Sequence, residues 1–233
     1  MKILIVSVLL VFVNLATSGQ GVSVIRKGEF IPAETPKTFT FASQPDDIIR
    51  AEFIASFKAV TGGKKNSLVA VFYDIRKQAM KMKANAFVLQ AYEPAGENSH
   101  NLVIDTYYIP GIADSPDTAY YNKVYIFCDE RKSDAVYSIK ADNRKEEFRS
   151  GTYLEYTLAD GQTLKLNKGG FTGMSLFLKY RENKEPQFFT ISSFGVGVTP
   201  PGVMGASFNT GRFEPVEKNL GLLLIRCLER YEH

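Results

Sequence analysis

Tryptophan is absent from this 233-residue chain, and histidine and cysteine occur twice each. Each shortage removes a class of chemistry. A Ser-His-Asp or Cys-His device needs a positioned imidazole. Here His233 is the last residue, and His100 lies in the polar stretch PAGENSH. A zinc site needs three or four Cys, His or carboxylate ligands at suitable spacing. Cys128 and Cys227 lie far apart, and neither has a nearby histidine. Without Trp the chain lacks the favoured platform for ligands with one apolar face, although Tyr and Phe are plentiful at 12 and 17. A large charge of either sign is missing too. The formal net charge is +3, far from the clustered basic balance of a nucleic-acid binder. No cofactor motif is satisfied. FGVGVTPPG and GGFTGM lack the strand, helix and Lys-Ser/Thr pair of a phosphate loop. Asp114, Asp117 and Asn122 lack the spacing and closing Glu of an EF-hand.

What is present begins with MKILIVSVLLVFVNLATSGQ. Lys2 precedes an apolar run from Ile3 to Val13, and small residues follow at Ala16 to Gly19. That is the three-part pattern of a secretory signal. The run is too short for a membrane span of about 20 residues. Residues 1–19 are therefore read as a signal peptide, with the mature chain starting at Gly19 or Gln20 and no transmembrane helix after cleavage. Lys2 is the only charge removed, so the net charge falls to +2. The expected destination is the periplasm, the cell surface or the medium.

Export brings an oxidising compartment, and Cys128 and Cys227 allow one intramolecular disulfide. A bridge would require Cα atoms within about 7 Å. It could stabilise by roughly 4–5 kcal/mol in the chain-entropy account. Both cysteines stand in apolar stretches, VYIFC and LLLIRCL, so two buried thiols are the simpler reading.

The pattern predicts an α+β fold in two parts. Residues 20–112 read as an α+β domain, with a first strand in GVSVIRKGEF. A helix is predicted over SQPDDIIRAEFIASFKAVTGG, where Ile49, Phe53, Phe57 and Val60 recur at helical spacing. A second helix is predicted over NSLVAVFYDIRKQAMKMKAN, with Leu68, Val71, Phe72, Ile75, Ala79 and Met82 as its apolar stripe. Lysines 77, 81 and 83 crowd its end, complementing the helix dipole, and Asn85 is expected to close it in a left-handed conformation. FVLQAYE and LVIDTYYI are predicted as an antiparallel pair, with Leu102, Ile104 and Thr106 on one face. GIADSPDT is the expected domain boundary.

Residues 118–233 read as a β-sandwich-like domain: short alternating strands separated by DERKSD, DNRK and ADG. PVEKNLGLLLIRCLERYEH is predicted as a closing helix from Pro215, despite Gly221. In the doublets Tyr107-Tyr108, Tyr120-Tyr121 and Phe188-Phe189, one ring should face the core and the other should not.

Two resemblances follow. MKMKANAFVLQAYE resembles a helix end and strand in a small bacterial family of heavy-metal-binding domains, where Gly stands at the position of Lys83. This implies only a local helix-to-strand turn. KVYIFCDERKSDAVYSIKADNRKEEFRSGTYLEYTLADGQTLKL, within residues 123–168, resembles a family of exported bacterial lipoproteins of unknown function. Tyr125, Phe127, Gly151, Tyr153 and Gly161 carry that likeness, while Cys128 stands where the family has Arg and the lipidated Cys is missing. A small β-sandwich is implied. The overall style is similar to exported Bacteroidota proteins.

Two functions remain in view. One is a non-catalytic cell-envelope protein binding an envelope protein or surface glycan. The other is an exported hydrolase using a carboxylate pair in a cleft between the two parts.

Overall fold

The computed structural model describes residues 21–42, 48–62, 67–96, 99–112, 118–128, 135–168, 174–191, 195–197, 207–209 and 212–232. The predicted signal segment and most of the predicted boundary, residues 113–117 with Asp114 and Asp117, lie outside them, as does His233. The described residues are mostly β, with three larger sheets, one two-stranded hairpin and two α-helices.

The first sheet is built from β1 (Val22–Lys27), β2 (Thr40–Phe41), β3 (Glu52–Gly62), β4 (Ala86–Gly96) and β5 (Ser99–Tyr108), in the order β1-β3-β5-β4-β2. Helix α1 (Leu68–Lys81) packs on one face of it. β4 and β5 pair antiparallel, and Leu102, Ile104 and Thr106 share a fully buried face.

One predicted helix is instead β3. Phe53, Phe57 and Val60 do recur at helical spacing, but Ala55, Phe57, Ala59 and Thr61 alternate and are each at most 1 % exposed. Lys58 and Val60, between them, are exposed. β3 is bonded to β1 on one side and β5 on the other. This tertiary pairing overrides the helical preference of two alanines, which here leave room beneath α1. Ile49, expected in a core stripe, is 74 % exposed in a short turn.

Helix α1 follows its sequence closely. Ser67 caps it, Oγ accepting from the Ala70 N–H at 3.2 Å. Leu68, Val71, Phe72, Ile75 and Ala79 are its buried stripe, and Met82 packs against the same cluster. The helix end differs from expectation. The left-handed residue is Lys83, with φ +67°, not Asn85. Asn85 is buried, and its side-chain amide donates to the Ile109 carbonyl at 2.9 Å while accepting from the Ile109 N–H at 2.8 Å. It therefore extends the sheet past its last backbone bond. Lys83 is the position where the resembling family carries Gly, which suits positive φ without a Cβ penalty.

The second half adds β6 (Lys123–Phe127), β7 (Val136–Ala141), β8 (Arg144–Arg149), β9 (Thr152–Thr157), β10 (Thr163–Lys168), β11 (Met174–Lys179) and β12 (Gln187–Ile191). After the hairpin β13 (Gly195–Gly197) and β14 (Ser207–Asn209) come β15 (Phe213–Val216), helix α2 (Lys218–Cys227) and β16 (Glu229–Arg230). These form a central sheet, β15-β12-β6-β9-β16, and an outer sheet, β11-β10-β7-β8. The β7–β8 turn places Asp142 and Asn143 at φ +46° and +68°, the tight hairpin turn that Asp and Asn tolerate. The closing helix begins at Lys218 rather than Pro215, because Pro215 pairs in the edge strand β15, a place where a missing N–H is tolerated.

The central sheet is buried on both faces. Val124 and Ile126 of β6 enter an apolar cluster shared with the outer sheet, including Ile139, Phe148, Leu164 and Leu166. Tyr125 and Phe127 point the other way, into a cluster shared with α2, α1 and the first sheet. Phe188 and Phe189 divide in the same manner, so both rings of that doublet are buried, contrary to expectation. A strand covered on two sides reads as a continuous apolar run.

Helix α2 joins the halves. Its Leu220, Leu223 and Leu224 lie in the cluster that also holds Phe57, Phe87 and Ile104. Asn219 Oδ1 accepts from the Phe41 N–H at 2.9 Å, and Arg76 pairs with Glu217 at 2.9 Å. Residues 20–112 and 118–233 thus share one core cluster across the expected boundary.

Candidate binding surface

Three constellations bring charged or aromatic side chains together. The first is a row across the first sheet, on the face away from α1. Register aligns Arg26, Ser56 and Asp105 on neighbouring strands. Arg26 reaches Asp105 at 3.4 Å, Ser56 Oγ donates to the other Asp105 oxygen, and the guanidinium lies 4.0 Å from the Phe53 ring centroid. Burial and the charge of Asp105 push the Tyr107 phenol up. The row holds a serine and a carboxylate, yet the carboxylate is tied to a cation. A nucleophilic serine needs a free base, so the row reads as cross-strand pairing.

The second lies on the inner face of the central sheet. Glu155 is within 3.3 Å of Lys123 and 3.7 Å of Arg230. Tyr125, Tyr153 and Phe188 stack beside it, with Tyr125 centroids 5.9 Å from Tyr153 and 5.3 Å from Phe188. Burial, then the negative charge of Glu155, raises the Tyr125 phenol far above its ordinary range and raises Tyr153 as well. Here too the carboxylate is engaged by cations.

The third is the outward face of the outer sheet. Alternation turns Val136, Ser138 and Lys140 outward on β7, and Lys145, Glu147 and Arg149 on β8. On β10 the outward residues are Thr163, Lys165 and Asn167, and on β11 they are Ser175, Phe177 and Lys179. Among the described residues, five cations therefore share the face with two carboxylates: Glu147, which pairs with Lys145, and Asp142 beyond the end of β7, whose Oδ1 accepts from the Lys165 N–H at 2.9 Å. Phe177 is 62 % exposed and Val136 60 %. Phe177 faces Lys165 in register, with the ammonium 5.8 Å from the ring centroid. Asn167 donates to Ser175 Oγ at 2.9 Å in the adjoining row.

Most residues singled out in the sequence are placed elsewhere. Cys128 is a thiol packed in the cluster between central and outer sheets, and Cys227 is a thiol against the cluster on the other side of the central sheet. The sheet stands between them. Lys168 approaches Cys128 electrostatically, donates to the Ser138 carbonyl at 3.1 Å, and is pushed down by burial. His100 lies in β5 rather than a loop, its ring stacked on Tyr92 at 4.5 Å. Asn122 sits at φ +56° and accepts from the Arg181 N–H, a turn role. No group of three or more metal-ligating side chains is found among the described residues. Nor do they include a helix long and apolar enough to cross a membrane.

The residues carrying the lipoprotein-like resemblance are structural. Tyr125, Phe127 and Tyr153 form the aromatic layer, while Gly151 and Gly161 take φ +76° and +73° in turns. The basic face is not visible in the sequence alone. Its signal was a lysine at outward positions of SIKA, TLKL and FLK, which only strand register gathers. Comparison with protein-family models, curated proteins and solved structures gives no match.

Proposed function

We propose that this chain is an exported, non-catalytic cell-envelope protein that binds an envelope component through the outward face of its outer sheet. The signal-like residues 1–19 support export. The central and outer sheets share one apolar cluster, which supports a β-sandwich-like reading in which the other face of the outer sheet is uncovered among the described residues. The observation that carries the reading is that face itself, with exposed Phe177 and Val136 among five cations. Binding surfaces favour exposed aromatics set in a polar surround. A hydrolase using two carboxylates has less support. Asp105 and Glu155 each face cations, and the helix α2 and its leucines fill the space between the halves where a cleft was expected.

The test has two arms. Cells expressing the full chain are fractionated, and the mature protein is sized by mass spectrometry. The expected result is an envelope or external fraction beginning at Gly19 or Gln20. Purified mature protein is then co-sedimented with washed envelope material, beside Phe177→Ser. Binding that falls in the variant supports the reading. Intact Met1 in the cytoplasm, or equal sedimentation of both proteins, overturns it.

A further inference from the structure

We infer that the ligand of this face is a carboxylate-bearing polysaccharide, an inference that rests on the binding role proposed above. Lys145 and Lys140 are register partners on β8 and β7. Lys140 pairs with Asn167, and Lys165 lies one outward step along β10. Lys179 lies one further step along β11, past Phe177, which is opposite Lys165. By register the four lysines form a diagonal band across all four strands, with Lys145 paired to Glu147 at one end. With strand spacing of about 4.8 Å and about 6.8 Å per outward step, the band spans roughly 20 Å. A line of cations fits a linear polyanion. The whole chain carries only +3, which equals the five cations of this face less Glu147 and Asp142, so the excess charge is concentrated here and the charges elsewhere in the chain balance.

The groups between the cations choose the polymer. Phe177 stands between Lys165 and Lys179, an apolar ring flanked by two ammoniums. That suits a ligand unit with an apolar face and a carboxylate at its edge, which is the form of a uronic-acid pyranose. Ser138, Thr163, Asn167 and Ser175 supply hydroxyl and amide partners for sugar hydroxyls. A protein partner would want a broader apolar centre than Phe177 and Val136 provide. A membrane surface would want an apolar face inserted beneath the charges, whereas here a single exposed ring, Phe177, stands beside Lys165.

Full-length mature protein is titrated by calorimetry with polygalacturonate and, in parallel, with its fully methyl-esterified form, poly-glutamate and phosphatidylglycerol vesicles. Polygalacturonate should bind at least about tenfold more tightly than the other three, since loss of a central anchor costs that much or more. Phe177→Ala and the pair Lys140→Gln with Lys165→Gln should each weaken it about tenfold with unchanged thermal midpoints. All are surface positions, so folding is not at issue. Poly-glutamate binding equally well means unspecific charge and overturns the inference. Equal binding of vesicles assigns the face to lipid and overturns it. Failure of polygalacturonate to bind, with envelope co-sedimentation still lost in Phe177→Ser, overturns the ligand class and leaves the binding role standing.

Discussion

The backbone of Gly221 lies against the ring of Phe188: a Cβ on the glycine would stand 2.3 Å from the ring's Cγ. Helix α2 approaches the central sheet at this point, so the glycine that weakens the helix pattern in the sequence is the one that lets the helix dock. Gly221→Ala gains about 1 kcal/mol of helix propensity, against an overpacking cost of about 1–3 kcal/mol or more. Net destabilisation is expected. Phe188→Leu in the same chain should recover part of the loss, because it removes the ring that the methyl strikes. Urea midpoints of the two single variants and the double variant measure the coupling. Additive losses would mean the two residues are not in contact.

Lys83, not Asn85, takes the left-handed position that ends α1. Asn85 makes two hydrogen bonds to Ile109 from a buried position. Asn85→Ala leaves the Ile109 N–H and C=O without these partners, at about 1–3 kcal/mol for each buried group left unsatisfied. Lys83 sits at φ +67° while its ammonium donates to the Pro32 and Ala33 carbonyls. Lys83→Gly relieves about 1–2 kcal/mol of left-handed strain and loses those partly exposed bonds, so it should lie within about 1 kcal/mol of wild type. Denaturation midpoints ranking Asn85→Ala well below Lys83→Gly are the expected outcome. Equal midpoints would return the helix-stop role to Asn85.

These two sites show what the sequence could and could not carry. α1 was readable because Leu68, Val71, Phe72, Ile75 and Ala79 have one partner surface and one period. β3 was not, because Phe53, Phe57 and Val60 satisfy the helical period by coincidence, and the alternation of Ala55, Phe57, Ala59 and Thr61 is disguised by its alanines. β6 was readable as a strand, yet its second buried face depends on α2, about a hundred residues later. The basic band was unreadable for the same reason: Lys140, Lys145, Lys165 and Lys179 become neighbours only through register.

Cleavage near residues 112–118 should not release two independent pieces. The cluster around α2 draws Leu220, Leu223 and Leu224 from one side of that loop and Phe57, Phe87 and Ile104 from the other. Separating the halves would expose Tyr125, Phe127 and Phe188, and fully burying a large apolar side chain is worth about 1.5–3 kcal/mol. Limited proteolysis followed by native size-exclusion chromatography should therefore show a nicked chain at the intact size, separating only in denaturant. Residues 118–233 produced alone should be less stable and prone to associate. Two stable monomeric fragments eluting separately would establish two independent domains instead.

The buried phenols set an alkaline limit. Tyr125 is raised by burial and by Glu155, and Tyr156 by burial and by its hydrogen bond to Glu146. Both stay protonated in the folded chain well above the ordinary phenol value of about 10. In the unfolded chain they release their protons near that value. The folded state then holds more protons, and stability falls as pH rises above about 10. Lys168 works in the opposite direction: burial lowers its pKa, so its contribution rises between its folded value and the ordinary lysine value. Burial lowers Lys184 in the same way, but Tyr73, Tyr107 and Tyr153 are raised beside Tyr125 and Tyr156, so five phenols against two lysines leave the net slope negative. Absorbance at 295 nm should show the exposed tyrosines ionising gradually, then a cooperative step coincident with loss of far-ultraviolet ellipticity. Tyr156→Phe removes one of these protons and should shift that step to higher pH, provided stability at pH 7 is preserved within about 1 kcal/mol, the ordinary worth of one hydrogen bond. A smooth titration of all tyrosines with no accompanying unfolding would show that the phenols of Tyr125 and Tyr156 are open to solvent; the aromatic layer beneath α2, which holds Tyr125, and the cluster under the outer sheet, which Tyr156 joins, would then not be closed.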